Sequence, residues 1–515
     1  MAKAIVTVLV DWDNDGNYGN ANSDITSDVI DVSWSRGRDY ASQLSGNSKS
    51  GKLTAMLHNT SGKYSPNNTS SPLTGKIEPG LRFKLNAGTG SFPYTFPILF
   101  NGVPHFVGRL EEIKPQPSSQ GAKRARLVAY GSLGFLNDFR IDLATQTSVR
   151  TDQAIGAILD DAGWASGDRT LATGLTTMTR FWVDGMKTIK ALRIPEETEG
   201  GFIREGKDGK IIFESRHTRL TGDYQTSQAT FSDASGASLS YKALDQTDPL
   251  STIVNHTQAT TRTYSTGSVA VLWTLGETGS DSPLLAPGEA RTFESRYPSP
   301  ESGNDAVEVN AWTTSASTTD YTANAASDGS GTNLTSSMSV SNTKLAERMI
   351  ITVTNGHASS LAYLTKLQAR GTPVTQKQTT VRAIDTASQA KYGERKFVAE
   401  TEFLPNTSES QQWCEFQLAI YSTPVNILKM SFIANNSDAL LFQALTRDIS
   451  DRITVTATNE AELGISADFF IESEKHKIDG NSHQVTWALS PATGGYTNFW
   501  VLGVSKLNQN TVLGY

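Results

Sequence analysis

Apolar and polar residues alternate in short runs along most of this chain. Residues 5–10, 31–35, 52–58, 81–85, 98–100, 106–113 and 125–130 each read as a strand, because side chains two apart share a face. Val32 and Trp34 fall in phase in one run, and Leu53, Ala55 and Leu57 in another. Turn-forming stretches at 11–22, 101–102 and 115–121 separate them. That spacing predicts a compact barrel or sandwich over residues 1–140. Residues 141–222 are mixed. A helix is predicted over 151–163, with Ala154, Ile155, Ile158, Leu159 and Ala162 at helical spacing and Gly163 as its stop. A second, short helix is expected over 186–192. Lys207-Asp208-Gly209, between apolar runs at 201–205 and 210–215, signals a hairpin. Strands return at 237–242 and 252–257.

Between 266 and 372 charge falls and Ser and Thr dominate. Apolar strands recur there at 269–274, 307–312, 337–340 and 348–353, which predicts an independent β-sandwich. The polar tract 313–341 reads as short strands and loops, since Tyr321, Leu334, Met338 and Val340 interrupt it. Beyond 373 a helix is predicted over 407–421, with Trp413, Phe416, Ala419 and Ile420 as its stripe and Pro424 past its end. An apolar run at 439–444 and strands at 452–455, 468–471 and 485–489 follow. The fold class is mainly β with minor α, in several domains. These are 1–140, a small α+β domain 141–222, a discontinuous domain of 223–265 with 373–500, the sandwich 266–372 inserted into it, and a tail 501–515.

Composition supports that class. Of 515 residues, 37% are hydrophobic and 19% charged, and Gly numbers 42, which suits strands joined by many polar turns rather than long helices. Net charge is −7, with a pI near 5.6. A chain whose task is gripping phosphate should be basic, so specific nucleic-acid binding is disfavoured. No run of apolar residues is long enough to span a bilayer, so no stable membrane insertion is expected. The first residues lack the apolar segment of a secretion signal, and Cys414 is the lone cysteine, so folding in a reducing cytosol without disulfides is expected.

Candidate chemistry is sparse. Asp11-Trp12-Asp13-Asn14-Asp15-Gly16 matches the start of an acidic calcium loop, but its twelfth position is Asn22 where a glutamate is expected, and a strand precedes it. Asp11, Asp13 and Asp15 are thus candidate ligands of a weak calcium site, against an acidic hairpin turn as the alternative. No other cofactor is expected. Glu205–Lys210 lacks the spacing of a phosphate loop. None of the seven histidines sits in a hydrolase or zinc-protease motif, and Cys414 beside Trp413 reads as a buried, inert thiol. The adjacent pairs Glu111/Glu112, Asp160/Asp161 and Glu196/Glu197 diverge on a strand or helix and read as solvated charge. The basic cluster Lys123-Arg124-Ala125-Arg126 reads as a polar strand face or a subunit salt-bridge site.

Taken in order, several segments resemble the baseplate hub or tail-tip proteins of tailed bacteriophages. They are Val10-Asp11-Trp12-Asp13-Asn14-Asp15-Gly16, Val29-Ile30-Asp31-Val32-Ser33-Trp34-Ser35-Arg36-Gly37-Arg38, residues 51–66, Phe106-Val107-Gly108-Arg109-Leu110, Tyr392-Gly393-Glu394-Arg395, residues 448–455, and 468–471 through 485–491. The resemblance is fuller over 1–140 and 375–491 than over 141–265. It implies two tube-like β-barrel domains, 1–140 and 223–265 with 373–491. Assembled as a homotrimer, they would offer six near-equivalent faces to a sixfold ring. It further implies a non-enzymatic role at the virion tail tip, assembly in the host cytoplasm, and a part in the DNA-ejection channel. The implied partners are a hexameric distal-tail or tail-tube ring, the tape-measure protein, and fibre or spike proteins. A conduit of that kind is expected to repel phosphate, in keeping with the acidic chain. Two other classes stand beside this one: a receptor- or carbohydrate-binding tail protein using 266–372, and a wall-degrading enzyme, for which no acid/base constellation or recognisable lysin domain is found.

Overall fold

The computed structural model describes residues 4–38, 48–89, 103–116, 123–247, 250–298, 306–399, 403–424, 426–459, 463–492, 499–500 and 512–513. The expected strand at 98–100 and most of the tail 501–515 lie outside them.

The molecule is mainly β, and twelve strands form one sheet. Its path runs Ala4–Val10, Arg82–Thr89, Val103–Gln116, Arg124–Gly131, Ser48–His58, Val29–Arg38, Ile465–Asp479, Ser482–Pro491, Ile427–Ile433, Ala243–Thr247, with Arg452–Ala457 and Thr230–Ser232 branching from Ile465–Asp479. Two cores lie against this sheet. One gathers Val8, Trp34, Leu53, Leu57, Tyr64, Phe83, Phe106 and Leu127. The other gathers Phe231, Met430, Phe432, Leu441, Phe469, Val485 and Trp487. The alternation read from the sequence explains this: one face of each strand is apolar and packs inward, and the other is polar.

Two separate barrels were expected, and the structure corrects this. Among the described residues neither half closes on itself. Val29–Arg38 pairs antiparallel with Ile465–Asp479, Asp31 opposite Asp479 through Gly37 opposite Ser473, and fuses the halves into a single wall. Gly37 makes this approach possible. Its φ is +113°, and a Cβ there would stand 2.4 Å from the Glu472 carbonyl oxygen and 2.6 Å from the Ser473 Cα.

The 141–222 segment is α+β. Helices Thr151–Asp161 and Thr188–Glu199 pack beside the antiparallel pair Arg140–Arg150 and Thr177–Lys187, around Ile155, Ile158, Leu159, Phe181 and Leu192. That pair was not anticipated, because polar residues on both faces hide its period. The second helix starts later than expected, passes through Pro195, and ends at Gly200 with φ +67°. Residues 237–242 are not a strand; pairing starts at Ala243, after a turn at Gly236 with φ +79°. Residues 252–257 likewise start as a 3-10 turn, and the strand begins at His256. Thr407–Tyr421 is helical as expected, capped by Asn406, whose side chain accepts from Glu409 N. The apolar run at 439–444 is a helix, Asp438–Thr446, capped by Ser437 and feeding Leu440, Leu441, Ala444 and Leu445 into the second core.

The inserted region packs two sheets around Val309, Trp312, Tyr321, Leu334, Met338, Ile351 and Leu364. Three of the four residues that interrupt the polar tract, Tyr321, Leu334 and Met338, lie in this core. The division expected at 372/373 falls inside one strand, Ala362–Ile384, which pairs with His256–Thr266 as a long ribbon. None of the helices among the described residues is long and apolar enough to cross a membrane.

Replacing Gly37 by alanine should lower stability by about 2 kcal/mol or more, because backbone on the facing strand cannot move aside. Urea unfolding measures this, and an unchanged midpoint would count against the close approach.

Candidate functional site

The face of the large sheet turned away from the two cores is polar and uncovered. Across its middle, Lys52 stands opposite Ser35, Ser35 opposite Lys475, Lys475 opposite Thr486, and Thr486 opposite Ser431. Ser33, Thr54 and Gln484 continue it in neighbouring ranks, none of them buried. A groove of about 550 Å³ runs over this face, lined by Ser35, Lys49, Asp245, Lys429, Lys475 and Thr486 among others. Small hydroxyl residues and lysines in such a row keep a sheet face wet.

Buried charge anchors the wall at one end. Arg36 and Arg38 are 5% and 8% exposed. Arg36 Nε donates to Glu474 (2.7 Å), Nη1 to the Glu205 carbonyl (3.0 Å), and Nη2 reaches Asp448. Arg38 donates twice to Glu472, at 2.5 and 2.8 Å. Arg219, from the 141–222 segment, donates to both oxygens of the same Glu472, at 2.6 and 3.0 Å. Arg204 donates to Glu214 (2.7 Å) and to Asp448 (3.3 Å). Lys207, at the hairpin, donates to the carbonyls of Leu445 and Arg447. Three distant stretches are thereby locked together. Burial raises the Glu472 pKa, but Arg219 and Arg38 outweigh it and hold the carboxyl far below the usual range. Asp448 behaves alike: burial raises its pKa, and Arg36 and Arg204 prevail.

Glu205 is held differently. Its carboxylate accepts from Gly51 N (2.7 Å) and Leu133 N (2.6 Å), yet burial still pushes it to about 7. Gly131 leaves room for it, since a Cβ there would lie 2.1 Å from a Glu205 oxygen.

Beside Arg36 lies a buried histidine cluster. His476 stacks on Trp34 (centroids 4.6 Å apart, 7° between planes), its Nδ1 meets His483 Nε2 at 3.0 Å, and His105 stands edge-on at 6.1 Å. Burial lowers all three pKa values, that of His483 to about 3. Lys207 and Arg36 push His105 and His476 further down, and Glu474 opposes them.

The residues singled out in the sequence occupy other places. Asp11 is fully buried and its carboxylate accepts from Asp15 N (3.2 Å) and Gly16 N (2.8 Å). Asp13 pairs with Lys76 at 2.6 Å, and Asp15 accepts from Asn17 N and Asn20 Nδ2. Asn22, the twelfth position, gives its carbonyl to the Trp12 indole at 2.8 Å. Among the described residues no group of three His, Cys, Asp or Glu side chains is placed to hold a metal. Cys414 is buried, and burial raises its thiol pKa. Glu111, Glu112, Asp160 and Asp161 are exposed. Glu196 corrects the expectation of solvated charge: it is 1% exposed, bonded to Arg193 and accepting from Ile203 N at 2.6 Å. Trp312 lies in the sandwich core and Trp273 packs on its margin. The ionic anchor itself went unread as a site. Its signal was Arg36-Gly37-Arg38, arginines alternating on a strand otherwise patterned for a core.

No family model matches the chain, and no curated protein matches it. Solved structures do. A tail protein from Neisseria meningitidis MC58 is 10% identical, covering 95% of this chain and 97% of its own, with a TM-score of 0.50. The 43 kDa tail protein of prophage MuSo2 from Shewanella oneidensis is 8% identical over 95% and 98%, at a TM-score of 0.46. The prophage tail protein gp18 from Listeria monocytogenes EGD-e is 8% identical over 95% of each chain, at 0.41. The first of these likenesses shows a common fold.

Glu472→Gln leaves two buried guanidiniums facing a neutral amide, and should cost about 3–5 kcal/mol in chemical unfolding; a loss under about 1 kcal/mol would show the anchor to be dispensable. Acid should act through the histidines. Below about pH 6.5 the unfolded chain takes up protons that the folded cluster refuses, so stability falls as pH drops. His483→Gln should flatten this slope by up to about 1.4 kcal/mol per pH unit between pH 6.5 and 5, and an unchanged slope in pH-dependent urea melts contradicts it.

Proposed function

We propose, starting from the fold shared with a tail protein, that the chain is a structural hub of a phage-type tail tip or baseplate. Three copies form a ring that adapts a sixfold tube to a threefold tip, and the polar face of the twelve-stranded sheet lines the channel for DNA ejection. The observation that carries this is the pairing of Val29–Arg38 with Ile465–Asp479. It joins six strands from each half into one wall whose core side is apolar and whose other side is wet.

The ends of the sheet support ring closure. Among the described residues Ala243–Thr247 pairs on one side alone, and Ala4–Val10 is partly covered on its outer side by Ser23–Ile25. Head-to-tail joining of copies is a heterologous contact that closes when the rotation fits, and it covers sheet edges that otherwise invite aggregation. The neighbours under this reading are a hexameric tube ring, the tape-measure protein, and fibre or spike proteins. In keeping with a non-enzymatic role, Glu196, Cys414, His105, His476 and His483 are buried.

Negative-stain class averages of the purified chain should show a threefold ring with a central hole. A strictly monomeric protein at high concentration, by light scattering, would overturn the ring.

A further inference from the structure

The wet face of the sheet is cationic, although the chain as a whole carries −7. Lys52, Lys475 and Lys429 stand on alternate strands of the wall. Lys52 and Lys475 flank Ser35 in one rank, and Lys429 lies in the next rank beyond Ala488. Strands are about 4.8 Å apart, so neighbouring lysine stems rise about 10 Å from one another. All three are exposed. Lys52 rides over the Tyr130 ring at 5.5 Å. Among the described residues none of the three has a carboxylate partner. The acids of this face stand apart from that row: Asp245 on the edge strand, opposite Lys429, Glu112 in the Thr54 rank two strands beyond Ser48–His58, and Asp31 opposite Asp479 at the far end, where Asp479 pairs with Lys477.

We propose that this face is a track for the phosphate backbone of double-stranded DNA, held through Lys52, Lys429 and Lys475 without regard to sequence. The inference deepens the channel reading and rests on it. Net charge alone led to the expectation of a lining that repels phosphate; the side chains of the face carry the opposite sign. Nucleic acid fits this surface better than an acidic protein does. Protein partners anchor through aromatic or arginine side chains set in apolar pockets, whereas this face offers hydroxyls and point-charge ammonium groups on flexible stems. Three lysines per copy release few counterions, so the hold is weak and salt-labile, and a duplex can slide. The acidic remainder of the chain confines the contact to this face.

The test is fluorescence anisotropy of a labelled duplex of about 30 base pairs with the full chain, between about 50 and 200 mM salt. Binding should weaken with salt. The triple variant Lys52→Ser, Lys429→Ser, Lys475→Ser should reduce the log–log salt slope by about 2–3 and weaken binding at least about tenfold at low salt. A control triple, Lys366→Ser, Lys377→Ser, Lys391→Ser, removes equal charge from the insertion and its surroundings and should bind as the parent does. No binding by the parent at low salt, or equal losses in both triples, overturns the track. Poly-glutamate of matched charge that displaces the duplex at equal concentration also overturns it, in favour of an acidic polypeptide. Light scattering on the same samples separates the two readings. A ring that ignores DNA removes the track and leaves the hub; a monomer that binds through these lysines keeps the track and removes the ring.

Discussion

One strand pairing governs the architecture. Val29–Arg38 and Ile465–Asp479 lie far apart in sequence, and their backbone ladder turns two half-sheets into a single surface. Pairing alone would leave the junction free to hinge. The carboxylates behind it prevent this: Glu472 and Glu474, on one strand of the pair, take up Arg38 and Arg36 from the other, and Glu472 also takes up Arg219 from the α+β segment. Such groups are costly to desolvate, and their return is specificity of docking more than raw stability. Register is therefore fixed where a slip by one residue would turn the wet face into the core.

The inserted sandwich is braced as well. Glu308 receives Arg180 at 2.6 Å, and Arg348 reaches Asp142 and Asp184 across to the 141–222 segment. Its own stem is the ribbon of His256–Thr266 with Ala362–Ile384, whose inner end brings Thr266 opposite Val374. The insertion thus leaves and re-enters the body at neighbouring points, which lets a large module be carried without disturbing the wall.

Much of this was legible in the sequence, and the failures have physical causes. Strands with one apolar face, such as 52–58 and 485–489, were readable because burial imposes a period of two. The helix Thr407–Tyr421 was readable to the residue from its stripe and from Pro424 beyond its end. The pair Arg140–Arg150 and Thr177–Lys187 was not, because Asp142, Thr145, Gln146 and Thr147 interrupt the alternation. The fusion of two expected barrels was not legible either, since no local signal tells a strand that its partner lies 438 residues away. Glu196 misled for a related reason: adjacency suggested solvated charge, while its burial depends on Arg193 and the Ile203 amide. At the candidate calcium loop the carboxylates of Asp11, Asp13 and Asp15 meet backbone amides, Lys76 and Asn20, contacts that residue types alone do not announce.

The long separation across that pairing also orders events on the ribosome. Arg36 emerges 438 residues before Glu474, which at roughly 5–20 residues per second is about 20–90 s of waiting. During that interval the Val29–Arg38 strand is an open rim on a nascent half-sheet, the kind of template that recruits wrong partners. Arg36 and Arg38 lie on that strand without their Glu474 and Glu472 partners until the last part of the chain is made.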